Sequence, residues 1–418
     1  MNSDAFIRQF HLLVDSGEID QAALFVESAI AIDSSNVDAR YARGVVAIFD
    51  RDFELAEREM RHAIAGRPTF ALALHGLGAI AQWRKEYLAS IEFFTRALQC
   101  DPASSDTSVA FAHSLLALGR YDEGWRHFEA RPGGLAHLPR QKGAWDGSPI
   151  PNGALAVFGE QGLGDVVQFC RYVPSIANRA QRVYLLLDGP FATLAPLLAS
   201  LAGVDAIVTD HRAGPSINAH CPIMTLAQIA GASTSTPGDV PYLSVPDERM
   251  RRWRARLGVP RSRRVGLVWH GNPRATVRGS DIDARRSISP ELLTPLSEVA
   301  GIEWYSLQLD MRSKLPSQFN VIELAPEIRD LADTAAIIAN LDLVITVDTS
   351  VAHVAGAIGA PVWMLNRFDS CWRWGPSDET TSWYPSMRIF RQPSFGNWSP
   401  VISDVRRALA AWARDPTV

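Results

Sequence analysis

Cysteine is scarce in this sequence, which has only four in 418 residues, far apart and with no CxxC pair: Cys100, Cys170, Cys221 and Cys371. That spacing excludes a disulfide framework and a zinc cage, and it is typical of reduced thiols in a cytoplasm. No apolar run reaches the roughly 18 residues of a membrane span. Residues 1–15 lack a basic start followed by an apolar core, so no signal peptide is predicted. We expect a cytoplasmic protein without a membrane span.

An excess of basic residues is also missing. Lys and Arg number 41 against 45 Asp and Glu, so the net charge is −4 and nucleic acid is not an expected partner. The hydrophobic share of 47% and the charged share of 21% are ordinary for a globular protein. The length predicts two or three domains.

The first 131 residues repeat. Three sets of similar residues recur at an interval of 34: Ala22, Ala56, Ser90 and Gly124; Ala29, Ala63 and Ala97; and Ile19, Phe53, Tyr87 and Tyr121. Small residues at a fixed interval allow paired helices to pack closely, and aromatic residues fill the gaps between pairs. This phase and period resemble the tetratricopeptide repeat, with about three and a half repeats in residues 1–131.

Two roles are open for this array. It could dock a protein partner, or it could only pack against the rest of the protein or a second copy. The asparagine ladder that lines the repeat groove of O-GlcNAc transferase is absent, because the equivalent positions hold Ala42, Gly76 and Ala110. Clamping of a peptide backbone by asparagines is therefore not predicted.

Residues 132–153 are rich in glycine and proline and are predicted to be a linker. A first α/β domain follows over 154–255 and opens with strand Ala154–Phe158, a glycine-rich turn and a helix. This order is typical of units that bind nucleotides or sugars. The turn is not the dinucleotide fingerprint, because no third glycine follows Gly162 and Gly164.

The same turn supplies a candidate catalytic base. Asp165 follows the two glycines at the carboxyl edge of the strand, where a carboxylate could take a proton from an acceptor hydroxyl. Glu160 is the rival, and Gln161 lies beside it. A third interpretation gives neither carboxylate this role, since an acidic residue in the first turn of a helix also suits the helix dipole.

The second α/β domain, over 260–418, contains the most informative stretch of the chain. Leu341–Val347 is predicted to be a buried strand, and Val351–Ile358 a short helix. Between them Asp348, Thr349 and Ser350 can cap the helix, which leaves the amides near Ser350, Val351 and Ala352 free to bind an anion such as a diphosphate. The alternative is an ordinary capped turn, but His353 adds a donor that such a turn does not need.

Further donor-side candidates follow other strands. Trp269 ends the predicted strand Arg264–Trp269, Gln308 ends Glu303–Gln308, and Asn272 follows the first of these. A polar loop up to Ser287 then carries arginines that suit a phosphate or, alternatively, solvent: Arg274, Arg278, Arg285 and Arg286. We treat the DxD pattern at Asp281–Asp283 as coincidence and predict no metal. An aromatic segment could stack on a nucleobase or pack between domains: Trp372, Trp374, Trp383 and Tyr384.

Residues 154–409 resemble the GT-B glycosyltransferases of the heptosyltransferase type and, more distantly, O-GlcNAc transferase. The resemblance lies in Gly162-Leu163-Gly164-Asp165, Gly266-Leu267-Val268-Trp269, Asp333-Thr334-Ala335 and Asp348-Thr349-Ser350-Val351-Ala352-His353. It implies two Rossmann-like domains and an inverting, metal-independent transfer with no cofactor. It also implies that Asp165 is the base and that Thr349, Ser350 and His353 contact the donor diphosphate. The family's phosphate-binding lysine has no clear counterpart, so Arg278 or Arg286 is expected to replace it.

The sequence thus predicts a tetratricopeptide array followed by a GT-B glycosyltransferase. The expected substrates are a nucleotide-diphosphate sugar and a hydroxyl on a protein or glycan, since similar bacterial repeat-containing enzymes are thought to modify proteins or cell-surface glycans. The main alternative is an inactive scaffold whose transferase domain only binds nucleotide or glycan. A nucleotide-sugar epimerase of related fold is a third possibility, although it would not need the repeats.

Overall fold

The computed structural model describes residues 3–131, 143–210, 214–231, 240–271, 277–309, 314–376 and 379–415, with side chains given for all of these except 3–4 and 277–281. Two compact units are present, and each is described separately. The first is all helical, and the second contains two parallel β-sheets. The predicted fold class, a helical repeat array followed by Rossmann-like α/β structure, is confirmed.

The first unit consists of paired helices: α1 (Ser3–Asp15), α2 (Ile19–Ile32), α3 (Val37–Phe49), α4 (Phe53–Gly66), α5 (Ala71–Trp83), α6 (Tyr87–Cys100), α7 (Ser105–Ala117) and α8 (Tyr121–Phe128). The first helices of successive pairs begin 34 residues apart, and so do the second helices. The described residues therefore form four pairs of helices rather than the predicted three and a half. Helix α8, with 8 residues, is the shortest of these eight helices.

The turns inside these pairs repeat a backbone conformation. Gly17, Arg51, Lys85 and Gly119 all have positive φ, between 62° and 81°. Glycine adopts this conformation freely, whereas a side chain makes it strained. The repeat thus dictates the backbone even at the two positions where the sequence supplies no glycine.

The three positions considered for an asparagine ladder are Ala42, Gly76 and Ala110, and helix packing limits which side chains fit at the first two. Ala42 is fully buried, and a Cβ atom built on Gly76 would lie 2.1 Å from Sδ of Met60 on the preceding helix. Ala42 and Gly76 lie where neighbouring helices approach closely, whereas Ala110 is half-buried. The absence of asparagine from the first two positions therefore follows from helix packing and carries no information about peptide binding.

The second unit contains ten strands in the described residues: β1 (Ile150–Phe158), β2 (Ala180–Leu186), β3 (Ala206–Val208), β4 (Ala219–Pro222), β5 (Arg263–Val268), β6 (Ile302–Ser306), β7 (Val321–Glu323), β8 (Leu343–Val347), β9 (Val362–Asn366) and β10 (Met387–Arg391). They form a four-stranded sheet of order β3-β2-β1-β4 and a six-stranded sheet of order β10-β9-β8-β5-β6-β7. All pairings are parallel. Strand β1 begins inside the segment predicted to be a linker.

The described helices that follow the array in sequence are α9 (Leu163–Phe169), α10 (Val173–Ile176), α11 (Ala195–Leu198), α12 (Leu226–Ile229), α13 (Asp247–Leu257), α14 (Val277–Arg286), α15 (Thr294–Ser297), α16 (Leu331–Ile338), α17 (Ser350–Ala357) and α18 (Ser399–Arg414). Short 3₁₀ segments span Cys170–Tyr172, Ala177–Arg179, Gly189–Leu194, Ile223–Thr225, Pro290–Leu293, Ala325–Glu327 and Trp372–Trp374. Helix α14 occupies much of the stretch predicted to be a polar loop. No helix in the described part of the chain is long and apolar enough to cross a membrane.

The strand order fixes where a ligand can bind. In the first sheet the chain proceeds outward from β1 to β3 and then returns to the other side of β1 with β4. In the second sheet it proceeds from β5 to β7 and returns to the other side of β5 with β8. Such reversals open a crevice at the carboxyl ends of the strands. The loops after β1, β5 and β8 lie at these crevices.

Asp333, from a motif that carries the family resemblance, has a structural position. Its fully buried carboxylate accepts hydrogen bonds from Trp253 Nε1 (2.8 Å) and Arg249 Nη1 (2.8 Å), both on α13. It thereby fastens α13 to α16.

The left-handed turns of the array lead to a prediction about stability. We expect Lys85→Gly to stabilise the protein by about 0.5–1 kcal/mol, because glycine relieves the left-handed strain. Gly119→Ala, at the equivalent turn, serves as the matched control and should destabilise by a similar amount. Both are measured on the full chain by urea unfolding, following the helical circular dichroism signal. A lower midpoint for Lys85→Gly would contradict the prediction.

Candidate functional site

The loop after β1 leads directly into α9. Gln161 has a left-handed backbone (φ 61°), and Gly162 is the extended N-cap residue of α9, which begins at Leu163. Asp165 therefore lies in the first turn, as the sequence predicted, and its side chain remains about one fifth exposed. A carboxylate at a helix N-terminus is favoured by the helix dipole.

Glu160 has a different environment. It is buried, and its Oε1 accepts a hydrogen bond from the backbone amide of Met224 (3.2 Å), just after β4. Since β4 is the neighbour of β1, this bond links the carboxyl ends of the two strands. Glu160 thus has a structural function in the loop, and Asp165 is the more accessible of the two carboxylates.

The turn after β8 presents unpaired amides. Thr349 is the N-cap of α17, and among the described residues neither the Ser350 nor the Val351 amide donates a hydrogen bond. The Ala352 amide, expected to be free, instead donates to the Thr349 carbonyl at 3.1 Å. None of the predicted capping side chains caps the helix; Thr349 Oγ1 contacts Thr346 Oγ1 at 3.1 Å. Two amides at a helix N-terminus remain as a potential anion site.

His353 lies one turn further along α17 and reaches the first sheet's loop. A Cβ atom built on Gly164 would lie 2.6 Å from its Cδ2, so only glycine leaves room for the ring. The His353 Nδ1 atom is 2.9 Å from the Tyr384 hydroxyl, and the ring tilts against Trp374 with centroids 5.4 Å apart. Burial lowers the pKa of His353 to about 3, and nearby Arg373 and Arg171 act in the same direction while Asp348 opposes them.

Arg373 joins the two loops. It follows β9 and forms an ion pair with Asp165, and its Nε donates to Gln168 Oε1 on α9. Burial alone would lower the pKa of the Arg373 guanidinium, but Asp165, Cys371 and Asp348 raise it above its usual value. Asp165, Arg373, Asp348 and His353 therefore form one electrostatic cluster at the carboxyl ends of β1 and β8.

Sequence reasoning missed Arg373. The available signal was an arginine between two tryptophans, Trp372-Arg373-Trp374, just after a strand at the mouth of an α/β sheet. For this segment the sequence predicts a role only for the aromatic rings, in stacking on a nucleobase or in packing. Those rings are buried, and Trp372 packs edge-on against Trp383 with centroids 5.9 Å apart. The packing interpretation is therefore the one that the structure favours.

The two predicted arginines whose side chains are described, Arg285 and Arg286, are both held by ion pairs. Arg286 donates from Nη1 to the Asp348 carbonyl at 2.9 Å and pairs with Asp283, so it lies against the turn that precedes α17. The side chain of Arg278 and the whole of Asn272 lie outside the described residues. In the described part of the chain no group of three or more His, Cys, Asp or Glu side chains could hold a metal ion.

Two other donor-side candidates have structural roles. The Trp269 ring is buried in the core beside the second sheet, and the contribution of this residue to donor binding stays a prediction. Gln308 Oε1 accepts from the amides of Trp269 (3.3 Å) and His270 (3.2 Å), which links the ends of β6 and β5. The sequence pattern of a strand does not show which of its two faces meets the core. The sequence alone therefore could not show that the Trp269 side chain lies in the core rather than in the crevice.

The contact at Gly164 makes a prediction. We expect Gly164→Ala to destabilise the protein by about 1–3 kcal/mol despite alanine's better helix propensity, because the new methyl group collides with the buried His353 ring. Gly143→Ala is the control, since a Cβ at Gly143 meets nothing within 4 Å. Thermal unfolding of both variants measures the difference. An unchanged melting temperature for Gly164→Ala would contradict the observed packing.

The chain is similar to several known proteins. Protein FlbA of Caulobacter vibrioides is 29% identical over 409 residues, which cover 89% of this chain and 65% of FlbA, so the chain spans less than two thirds of that relative. A glycosyl transferase of family 9 from Veillonella parvula aligns over 58% of this chain and 87% of its own, with a TM-score of 0.40 and 11% identity. MamA aligns over 31% of this chain and 75% of its own, with a TM-score of 0.27 and 19% identity.

The match to a protein family falls on the second sheet. Residues 308–393 match glycosyltransferase family 9 (heptosyltransferase), and this segment includes β8, α17, β9 and Arg373. The match agrees with the predicted class of enzyme, whereas the predicted similarity to O-GlcNAc transferase stays a prediction. Within the carboxy-terminal part of the chain, residues 308–393 are therefore similar to glycosyltransferase family 9 (heptosyltransferase).

Proposed function

We propose that the protein transfers a sugar from a nucleotide-diphosphate donor to an acceptor hydroxyl, with inversion and without a metal ion. The observation that carries this proposal is the contact of Gly164, the neighbour of Asp165, with His353 of α17, whose N-terminus has no side-chain cap. A base on one side and an anion site on the other is the arrangement that an inverting displacement needs.

In the proposed reaction the Asp165 carboxylate takes the proton of the acceptor hydroxyl. The acceptor oxygen then forms a bond to the anomeric carbon while the bond from that carbon to the diphosphate breaks on the opposite face. The leaving nucleoside diphosphate keeps the electron pair. The ion pair with Arg373 holds the Asp165 carboxylate in the site.

The departing diphosphate needs stabilisation where its charge develops. The free amides of Ser350 and Val351, together with the helix dipole, supply part of it. Arg286 lies against the Asp348 carbonyl and adds a cation beside the same turn. With His353 as a further hydrogen-bond donor, the site needs no metal ion for this step.

For the acceptor we propose a hydroxyl on a protein side chain or a glycan. The support is indirect: a helical repeat array precedes the transferase domain in the same chain, and such arrays commonly present extended surfaces to partners. A scaffold that binds nucleotide or glycan without catalysis remains the second candidate, because Asp165 is held by an ion pair in the structure.

Donor binding is tested first, by thermal shift with a panel of nucleotide-diphosphate sugars. A donor at about a hundredfold excess over its dissociation constant should stabilise the wild type by about 2.7 kcal/mol. We expect His353→Ala to respond more weakly to that donor, because it lacks a contact to the diphosphate. Gly143→Ala should respond like the wild type. If no donor shifts the wild type, the assignment of the α17 turn to a diphosphate is wrong.

Turnover is tested with Asp165→Asn and the donor identified in that panel, in buffer containing EDTA. We expect sugar transfer or donor hydrolysis to fall by about 10²–10⁴-fold, since the amide cannot accept the proton. Donor affinity should stay within a few-fold of the wild type. Full turnover by Asp165→Asn would exclude Asp165 as base, and a wild type that binds donor without any turnover would favour the scaffold.

A further inference from the structure

Tyr384 is built into the site through helix α17. Its ring is fully buried, and a Cβ atom on Gly356 would lie 2.3 Å from its Cδ1. Gly356 follows His353 by about one helical turn, so it leaves the space in which the phenol ring lies along the helix. In that position the Tyr384 hydroxyl is 2.9 Å from Nδ1 of His353.

The neighbouring phenol leaves the Tyr384 proton available for His353. The Tyr242 hydroxyl donates its only proton to the Val167 carbonyl (3.0 Å) and accepts from Arg171 Nη2 (3.1 Å). It lies 3.5 Å from the Tyr384 hydroxyl, a longer separation than the one to His353. Burial raises the pKa of both phenols, so each keeps its proton at neutral pH. A hydroxyl has one proton, and the shorter contact to Nδ1 receives it.

The other nitrogen of His353 faces the loop of the first sheet. A Cβ atom on Gly164 would lie 3.3 Å from Nε2, and Nε2 makes no hydrogen bond within the part of the chain that the structure describes. This nitrogen is therefore the one available to a ligand at the α17 turn. Its use depends on whether it carries the proton, because a bare ring nitrogen would repel a phosphate oxygen.

We propose that Tyr384 is a positioning residue that donates to Nδ1 and thereby holds neutral His353 as the Nε2–H tautomer, ready to donate to the donor diphosphate. The reverse arrangement, with Nδ1–H donating to Tyr384 and Tyr384 donating to Tyr242, needs the longer 3.5 Å contact. This inference rests on the proposed function for the role of Nε2, but the tautomer itself does not depend on any ligand.

The tautomer is measured on the full chain by ¹⁵N-histidine labelling and long-range ¹H–¹⁵N spectra. His353→Gln identifies the His353 signals among the ten histidines. We expect the wild type to show the Nε2–H pattern, and Tyr384→Phe to shift the ring towards a mixture of tautomers. An Nδ1–H pattern in the wild type, or an unchanged pattern in Tyr384→Phe, overturns the inference.

Binding supplies the second readout, with UDP, GDP, ADP and CDP as probes in calorimetry. We expect Tyr384→Phe to weaken the diphosphate that binds best by about tenfold, the effect of misdirecting one hydrogen bond to a charged group. Tyr305→Phe is the matched control, because Tyr305 is equally buried and donates to Glu303 Oε2 at 2.7 Å in strand β6.

The outcomes separate the two proposals. Equal affinity of Tyr384→Phe and Tyr305→Phe for the bound diphosphate would overturn the positioning role. If no diphosphate binds the wild type, the proposed function loses its donor site, and the tautomer measurement still decides whether Tyr384 orients His353.

Discussion

The close approach of α9 to α17 is the constraint on which the candidate site depends. At their contact Gly164 faces the His353 ring with no room for a side chain, and Gly356 makes equal room for Tyr384. The ion pair between Asp165 and Arg373, which lies in the loop after β9, also holds α9 in this position. Because the two helices follow strands at the reversal of each sheet, this single contact brings the carboxylate and the free amides of α17 to one crevice.

The contact also buries positive charge, which must be compensated. Arg171 lies 4.3 Å from the centre of the Tyr242 ring and donates to the Trp383 carbonyl (3.2 Å from Nη1). Arg373 lies 4.5 Å from the Trp372 ring and pairs with Asp165. Removing such groups from water is costly unless carboxylates, carbonyls and ring faces replace the lost hydration. The aromatic segment therefore serves the packing of the cations that hold the site together.

What could be predicted from the sequence followed from local patterns. The interval of 34 residues gave the helix pairs because each pair repeats the same contacts, and the strand–turn–helix order located the loops around Asp165 and Thr349. Helix α14 was missed because its sequence, VRGSDIDARR, is too polar to show an apolar face. The partner of Asp165 was missed because it lies 208 residues away, and no local pattern specifies such a pairing.

The buried environment of His353 determines which interactions it can make with a leaving diphosphate. Its pKa of about 3 leaves the ring neutral near pH 7, so it cannot supply a positive charge or a general acid to a leaving diphosphate. Charge stabilisation then falls to the helix amides and to arginines such as Arg286. A neutral imidazole contributes only through a hydrogen bond, whose value depends on which nitrogen carries the proton. Its orientation therefore matters more than its basicity, and a buried phenol fixed beside a glycine is a means of setting that orientation.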